Sequence, residues 1–144
     1  MRINQRVHFL LRSEQLTAAE ITAGLLMEPD RIEVRGSLRP DPPVPPCHGW
    51  SISAPVPDQP VNDQLDALIQ RLEPFTTAIG RLVATGQVVA ILRVVRRFAV
   101  LDDAAESCPV AAPRRLLGWW VDEPILRFLA DTGATVDVDE RGHD

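Results

Sequence analysis

Apolar and polar positions divide the chain into short alternating runs and longer runs of helical spacing. Val7-His8-Phe9-Leu10-Leu11 is short and β-compatible, and Ser13-Glu14-Gln15 reads as a turn, so a first strand is predicted there. Leu16-Thr17-Ala18-Ala19-Glu20-Ile21 carries a capping box: the Thr17 hydroxyl can accept from the Glu20 amide while the Glu20 side chain reaches back, with Leu16 and Ile21 as a hydrophobic staple. A helix from Ala18 to about Met27 follows, burying Ile21 and Leu25 and stopping ahead of Pro29. Arg31 to Arg35 alternates charged with apolar residues and predicts a half-buried or edge strand with Ile32 and Val34 inward.

Between Leu38 and Pro60 proline is so frequent that a central strand is excluded, since proline supplies no ladder donor, and a stiff loop of polyproline character is expected. Inside it, Gly49-Trp50-Ser51-Ile52-Ser53 alternates and predicts a short edge strand with Trp50 and Ile52 inward. Val61-Asn62-Asp63 offers an N-cap, and Leu65, Leu68, Ile69, Leu72, Phe75, Ile79, Leu82 and Val83 follow helical spacing to Gly86. Pro74 falls inside that run, where a proline costs about 3 kcal/mol, so a kink or two helices meeting at Glu73-Pro74 is expected.

Val88 to Val95 is apolar on both faces and β-branched, as a covered central strand should be, and Arg96 to Phe98 can extend it. Leu116 to Val121 predicts another strand. Asp122-Glu123-Pro124 starts a helix with a carboxylate cap and an early proline; Ile125, Phe128 and Leu129 form its buried stripe, and Gly133 stops it. Thr135 to Asp139 alternates, predicting a strand with Val136 and Val138 inward, and Glu140 to Asp144 are expected to fray. The strand, capped helix, strand order of Val7 to Val34 returns in Leu116 to Asp139 as a hint of two similar halves.

At 144 residues with 45% hydrophobic content, the chain can fill one core, so a single α+β domain is predicted: a mainly antiparallel or mixed sheet packed by about three helices, the central one kinked at Pro74. No apolar run approaches the roughly 20 residues of a membrane span, and the start shows no signal peptide, so a cytoplasmic location without membrane association is expected. All 15 basic residues are arginine and the net charge is −5, with acids and bases interspersed, which argues against nucleic acid as a partner. Cys47 and Cys108, the 2 cysteines, are expected to remain reduced thiols.

In order and spacing, Leu16 to Ile21 leading to Glu28-Pro29-Asp30 and Gly36, then Trp50 to Ser53, Leu68 to Pro74, and Ile125 to Asp139 with Leu129-Ala130-Asp131-Thr132-Gly133-Ala134, the chain resembles a bacterial family named domain of unknown function 4279. The resemblance spans nearly the whole chain and rests on caps, turns and core positions. It implies the fold and supplies no active-site residues. The proline-rich segment and Arg97 to Arg115 depart from the usual pattern of that family.

Candidate chemistry is sparse. Cys47-His48, Cys108, His8 and His143 are zinc-ligand types, yet no paired spacing such as C-x-x-C joins them, and scattered structural or surface roles are favoured. Cys47 and His48, as neighbours in an extended segment, point to opposite faces and make a poor nucleophile and base pair. Asp137 and Asp139, or Asp102-Asp103, lack the spacing of a calcium loop and read as solvated positions. Arg93, Arg96 and Arg97 could grip a phosphate or carboxylate; Arg93 stands out because it interrupts an apolar strand, with a structural ion pair as the plainer reading. The P-x-x-P patterns of Pro40 to Pro46 suit either an aromatic groove or a stiff connector. In Trp119-Trp120, one ring must face away from the other and can lie exposed or line a cleft.

No nucleophile, base or metal set converges and no cofactor is indicated, so a non-catalytic protein-interaction domain, immunity-like or regulatory, is the expected function. Trp119 or Trp120 and the loop from Arg39 to Trp50 are its expected contacts. The alternative is a small-ligand-binding domain or enzyme with a pocket walled by Trp50, Trp119 or Trp120, and Arg93.

Overall fold

A computed structural model describes residues 2–99 and 118–143. Its first element, β1 (Arg2–Ser13), runs well beyond the expected Val7 to Leu11. Every second residue from Gln5 to Ser13 is buried, so a single alternation fixes one face of the strand against the core. Helix α1 (Ala18–Leu25) has the predicted capping box, with the Thr17 hydroxyl accepting from the Glu20 amide and the Glu20 carboxylate from the Thr17 amide, and it ends at a left-handed Leu26.

The chain continues through β2 (Arg31–Glu33), β3 (Arg39–Pro40), β4 (Pro43–Val44), β5 (His48–Ser53), α2 (Val61–Leu72), a 3-10 turn (Glu73–Phe75), α3 (Thr76–Ala84), β6 (Val89–Ala99), α4 (Glu123–Thr132) and β7 (Thr135–His143). The main sheet has the order β2-β5-β1-β6-β7. All neighbours pair antiparallel except β6 and β7, which are parallel. A parallel pair needs a crossover connection, and α4 lies on the path that makes it. The fold is therefore α+β with a mixed sheet, as the sequence implies.

The helices pack on one face of this sheet. Val7, Phe9 and Leu11 of β1, Trp50 and Ile52 of β5, and Ala90, Leu92 and Val94 of β6 meet Ile21, Leu65, Leu68, Leu72, Ile79, Ile125 and Phe128 in one cluster. Phe9 and Phe128 pack edge to face with ring centroids 5.5 Å apart. Asp122 caps α4 through the Ile125 amide, and Gly133 closes it at φ 70°, a left-handed conformation in which glycine has no Cβ penalty.

Several expectations need correction. Ile32 and Val34 are 56% and 51% exposed. Ile32 shares the face of Trp50 by register, but it sits on the outermost strand, past the reach of the helices. That short β2 is the edge, so β5 is an interior strand despite its proline flanks. The proline segment folds back on itself instead of running as a polyproline helix: β3 and β4 form a two-stranded hairpin, with Leu38 N donating to Val44 O at 2.8 Å and Gly36 N to Pro45 O at 2.9 Å. Pro60, without a side-chain bond, occupies the N-cap of α2 in place of a residue from Val61 to Asp63, and α2 and α3 are separate helices joined through the turn that contains Pro74.

Gly118 to Val121 is not a strand, and Leu116 and Leu117 lie outside the described residues, so the two-halves pattern lacks its second leading strand among the described residues. Val136 and Val138 are 38% and 44% exposed: register puts them on the helix face beside Leu92 and Val94, but β7 is an edge strand two places from β1, where helix packing is concentrated. Leu129 packs at the rim of the core and is only partly buried. Residues from Glu140 do not fray but continue β7 to His143.

Candidate functional site

Because the helices take one face, the other face of the sheet has no helix over it among the described residues. Register assigns its side chains. Strand β1 contributes Arg2, Asn4, Arg6, His8, Leu10 and Arg12; β6 contributes Arg93, Val95 and Arg97; β5 contributes Gly49, Ser51 and Ser53; β2 contributes Arg31 and Glu33; and β7 contributes Asp137, Asp139 and Arg141. Arginines clearly outnumber carboxylates on this face, although the whole chain carries a net charge of −5.

The ion pairs consume part of that excess. Arg93 Nε donates to Asp137 Oδ2 at 2.7 Å, and Arg141 Nε to Asp139 Oδ1 at 3.0 Å. Arg31 approaches Glu33 at 3.7 Å. Arg6, Arg12 and Arg97 form no ion pair within 4.0 Å among the described residues, so their charge stays available to solvent or a partner.

A concavity of about 330 Å³ opens on this face, lined by His8, Arg12, Arg31, Ser53 and Arg93 together with Glu33 and Ser51. Leu10 and Val95 also line it, and His8 sits in it opposite Ser53 on one side and Arg93 on the other, with its Nδ1 2.8 Å from Ser53 Oγ. Burial, then the guanidiniums of Arg6, Arg93 and Arg31, push the His8 pKa below the usual imidazole value. Among the described residues no group of three His, Cys, Asp or Glu side chains is arranged to hold a metal ion.

The residues singled out in the sequence are separated by this geometry. Arg93 lines the concavity, but the Trp50 indole points into the helix layer and donates Nε1 to Thr22 Oγ1 at 3.1 Å, leaving its main chain for the concavity. Trp119 packs against the core, and Trp120, 60% exposed, is held beside α2 by Asn62, which donates to its carbonyl at 2.9 Å and accepts from its amide at 3.1 Å. The pocket expected from Trp50, Trp119 or Trp120 and Arg93 is therefore not formed. Nor do Arg93, Arg96 and Arg97 act together: Arg96 lies on the helix face, almost buried, with its Nη1 donating to Glu140 at 2.8 Å. His48 Nδ1 accepts from the Arg35 amide at 3.1 Å, while Asp102, Asp103 and Cys108 lie outside the described residues.

The profile of the family described as Domain of unknown function (DUF4279) matches residues 2–143. The chain belongs to this family. No curated protein and no solved structure matches it. The DUF4279 match takes in every strand and helix described above, and both the basic face and its concavity fall within the family domain. No helix among the described residues is long and apolar enough to cross a membrane.

Four residues of the concavity, His8, Arg12, Arg31 and Ser53, do not stand out in the sequence as a set. The available signal was the alternation of β1, which places His8 and Arg12 on the face opposite Phe9 and Leu11.

Proposed function

We propose that this DUF4279 chain is a non-catalytic interaction domain that docks an acidic protein surface onto the face of its sheet opposite helices α1 to α4. The observation that carries this reading is the excess of arginine on that face in a chain of net charge −5. Arginine is enriched at interface hot spots, and opposite charge steers encounter and fixes orientation. A protein fits better than nucleic acid, because among the described residues the face carries no Trp or Phe on which bases could stack and carboxylates interrupt its arginines.

The test is capture from the native host with the intact chain, comparing wild type with a triple Arg6→Glu, Arg12→Glu, Arg97→Glu variant and with Trp120→Ala. The expected result is an acidic protein retained by wild type and Trp120→Ala, released by moderate salt, and lost from the triple variant with its melting curve unchanged. A partner that survives the triple reversal, or one lost only from Trp120→Ala, overturns the reading. So does retention of nucleic acid in place of protein.

A further inference from the structure

We propose that the concavity around His8 is an oxyanion-binding site that takes a single carboxylate or phosphate group. The inference rests on the interaction reading above for its biological occupant, naming the group by which an acidic partner is anchored, but the site stands on its own geometry.

Donors from four strands line one concavity that spans three register rows, with Leu10 between His8 and Arg12 on its floor. The register row through His8 places Ser53 of β5 and Arg93 of β6 on either side of the imidazole, and Arg12 and Arg31 complete the rim. The Arg93 guanidinium is fixed from behind, since its Nε is committed to Asp137, leaving the terminal nitrogens as donors. The Ser51 hydroxyl donates to the Arg31 carbonyl at 3.5 Å and the Ser53 hydroxyl bonds His8 Nδ1 at 2.8 Å, which ties both serines to the groups that line the concavity.

Charge decides what such a set binds. The charged or titratable groups around His8 are Arg6 and Arg12 on β1, Arg31 and Glu33 on β2, Arg93 on β6, Asp137 on β7, Asp58 ahead of α2, and Asp30, whose carboxylate accepts from the Ser53 amide. Asp137 is paired with Arg93, Asp30 with Arg71, and Glu33 lies 3.7 Å from Arg31, while Asp58 accepts from the Gln5 amide; the arginines outnumber these carboxylates, so the concavity is cationic before His8 takes a proton. The downward pull of three arginines on the imidazole reports the same field. Guanidiniums bind carboxylate and phosphate by paired charge-assisted bonds. A volume of about 330 Å³ holds one such group with the short segment that bears it.

The experiment follows the His8 ring by NMR in the intact protein while inorganic phosphate, and separately acetate, is added at constant ionic strength against a chloride control. The expected result is a saturable shift of the His8 signals with at least one of the two anions and a rise in the His8 pKa while that anion is bound, because it offsets the arginine field. Arg93→Gln and Arg12→Gln should each weaken that binding roughly tenfold or more. Arg12 makes no ion pair among the described residues, so its variant reads the site even if Arg93→Gln disturbs the sheet. Shifts no larger than with chloride, or an unmoved His8 pKa, overturn the site. If neither anion binds while the triple reversal still abolishes partner capture, the site fails and the docking face stands. If an anion binds while capture is indifferent to the reversal, the docking face fails and the site stands.

Discussion

Replacing Gly80 with alanine sets two opposing effects against each other at the crossing of α3 and α4. On helix propensity alone the change is favourable by about 1 kcal/mol, since glycine is among the poorest helix formers and alanine the best. In this structure, however, a Cβ on Gly80 would overlap the carbonyl oxygen of Asp131 in the last turn of α4. That neighbour is backbone and cannot rotate away, so the helices must separate, and overpacking of this kind costs about 1–3 kcal/mol. The separation also loosens Ile79 and Phe128, both in the core cluster. We expect Gly80→Ala to lower stability by up to about 2 kcal/mol net, a fall in Tm of up to several degrees for a domain of this size. Gly24→Ala is the control: it lies in α1 with nothing within 4 Å of the added methyl, so the propensity gain should appear undiminished. Urea and thermal unfolding followed by circular dichroism measure both. If Gly80→Ala is as stable as Gly24→Ala, the close approach of α3 to α4 is wrong.

Two further outcomes are expected. Gln64 is buried and its Oε1 accepts from the Val7 amide at 3.0 Å, next to where the pairing of β5 with β1 ends, so Gln64→Leu strands that amide and should cost about 1–3 kcal/mol in urea unfolding; an unchanged midpoint refutes the role. His8 has a folded pKa lowered by burial and neighbouring arginines, so between that value and the unfolded value of about 6.5 the unfolded chain binds more protons. Its contribution to stability is therefore present above about 6.5 and is lost as pH falls through the folded pKa, and His8→Gln should flatten that part of the Tm against pH curve; identical curves for the two proteins refute the assignment.

Features decided within a few residues were legible in the sequence. The Thr17 and Glu20 box, the Asp122 cap and the Gly133 stop depend on groups three or four positions apart, and each formed as read. Alternation likewise gave the inward face of β5, because successive side chains on a strand must point to opposite sides, whereas β6, read as apolar on both faces, buries only the face of Ala90, Leu92 and Val94 fully. Alternation says which residues share a face, not what covers it. Val136 and Val138 therefore share a face with Leu92 and Val94 as expected, and yet stay partly exposed on an edge strand.

The candidate site depended on tertiary structure for a similar reason. Arg6, Arg12, Arg31, Arg93 and Arg97 are scattered among acids along the chain and read as interspersed charge. Strand order and register bring them to one face, while opposing charges such as Glu140 and Asp66 are placed elsewhere. Trp50, Trp119 and Trp120 show the converse: residue type made them binding candidates, but packing turned the Trp50 indole into the core and tied the Trp120 main chain to Asn62. Local hydrogen bonds and periodicity need only near neighbours, so the sequence by itself determined the caps of α1 and α4 and most element types, though not the α2 cap or the hairpin in the proline segment. Strand order, edge exposure and the pooling of arginine around His8 depend on contacts between residues far apart in the chain, and only the folded sheet decided them.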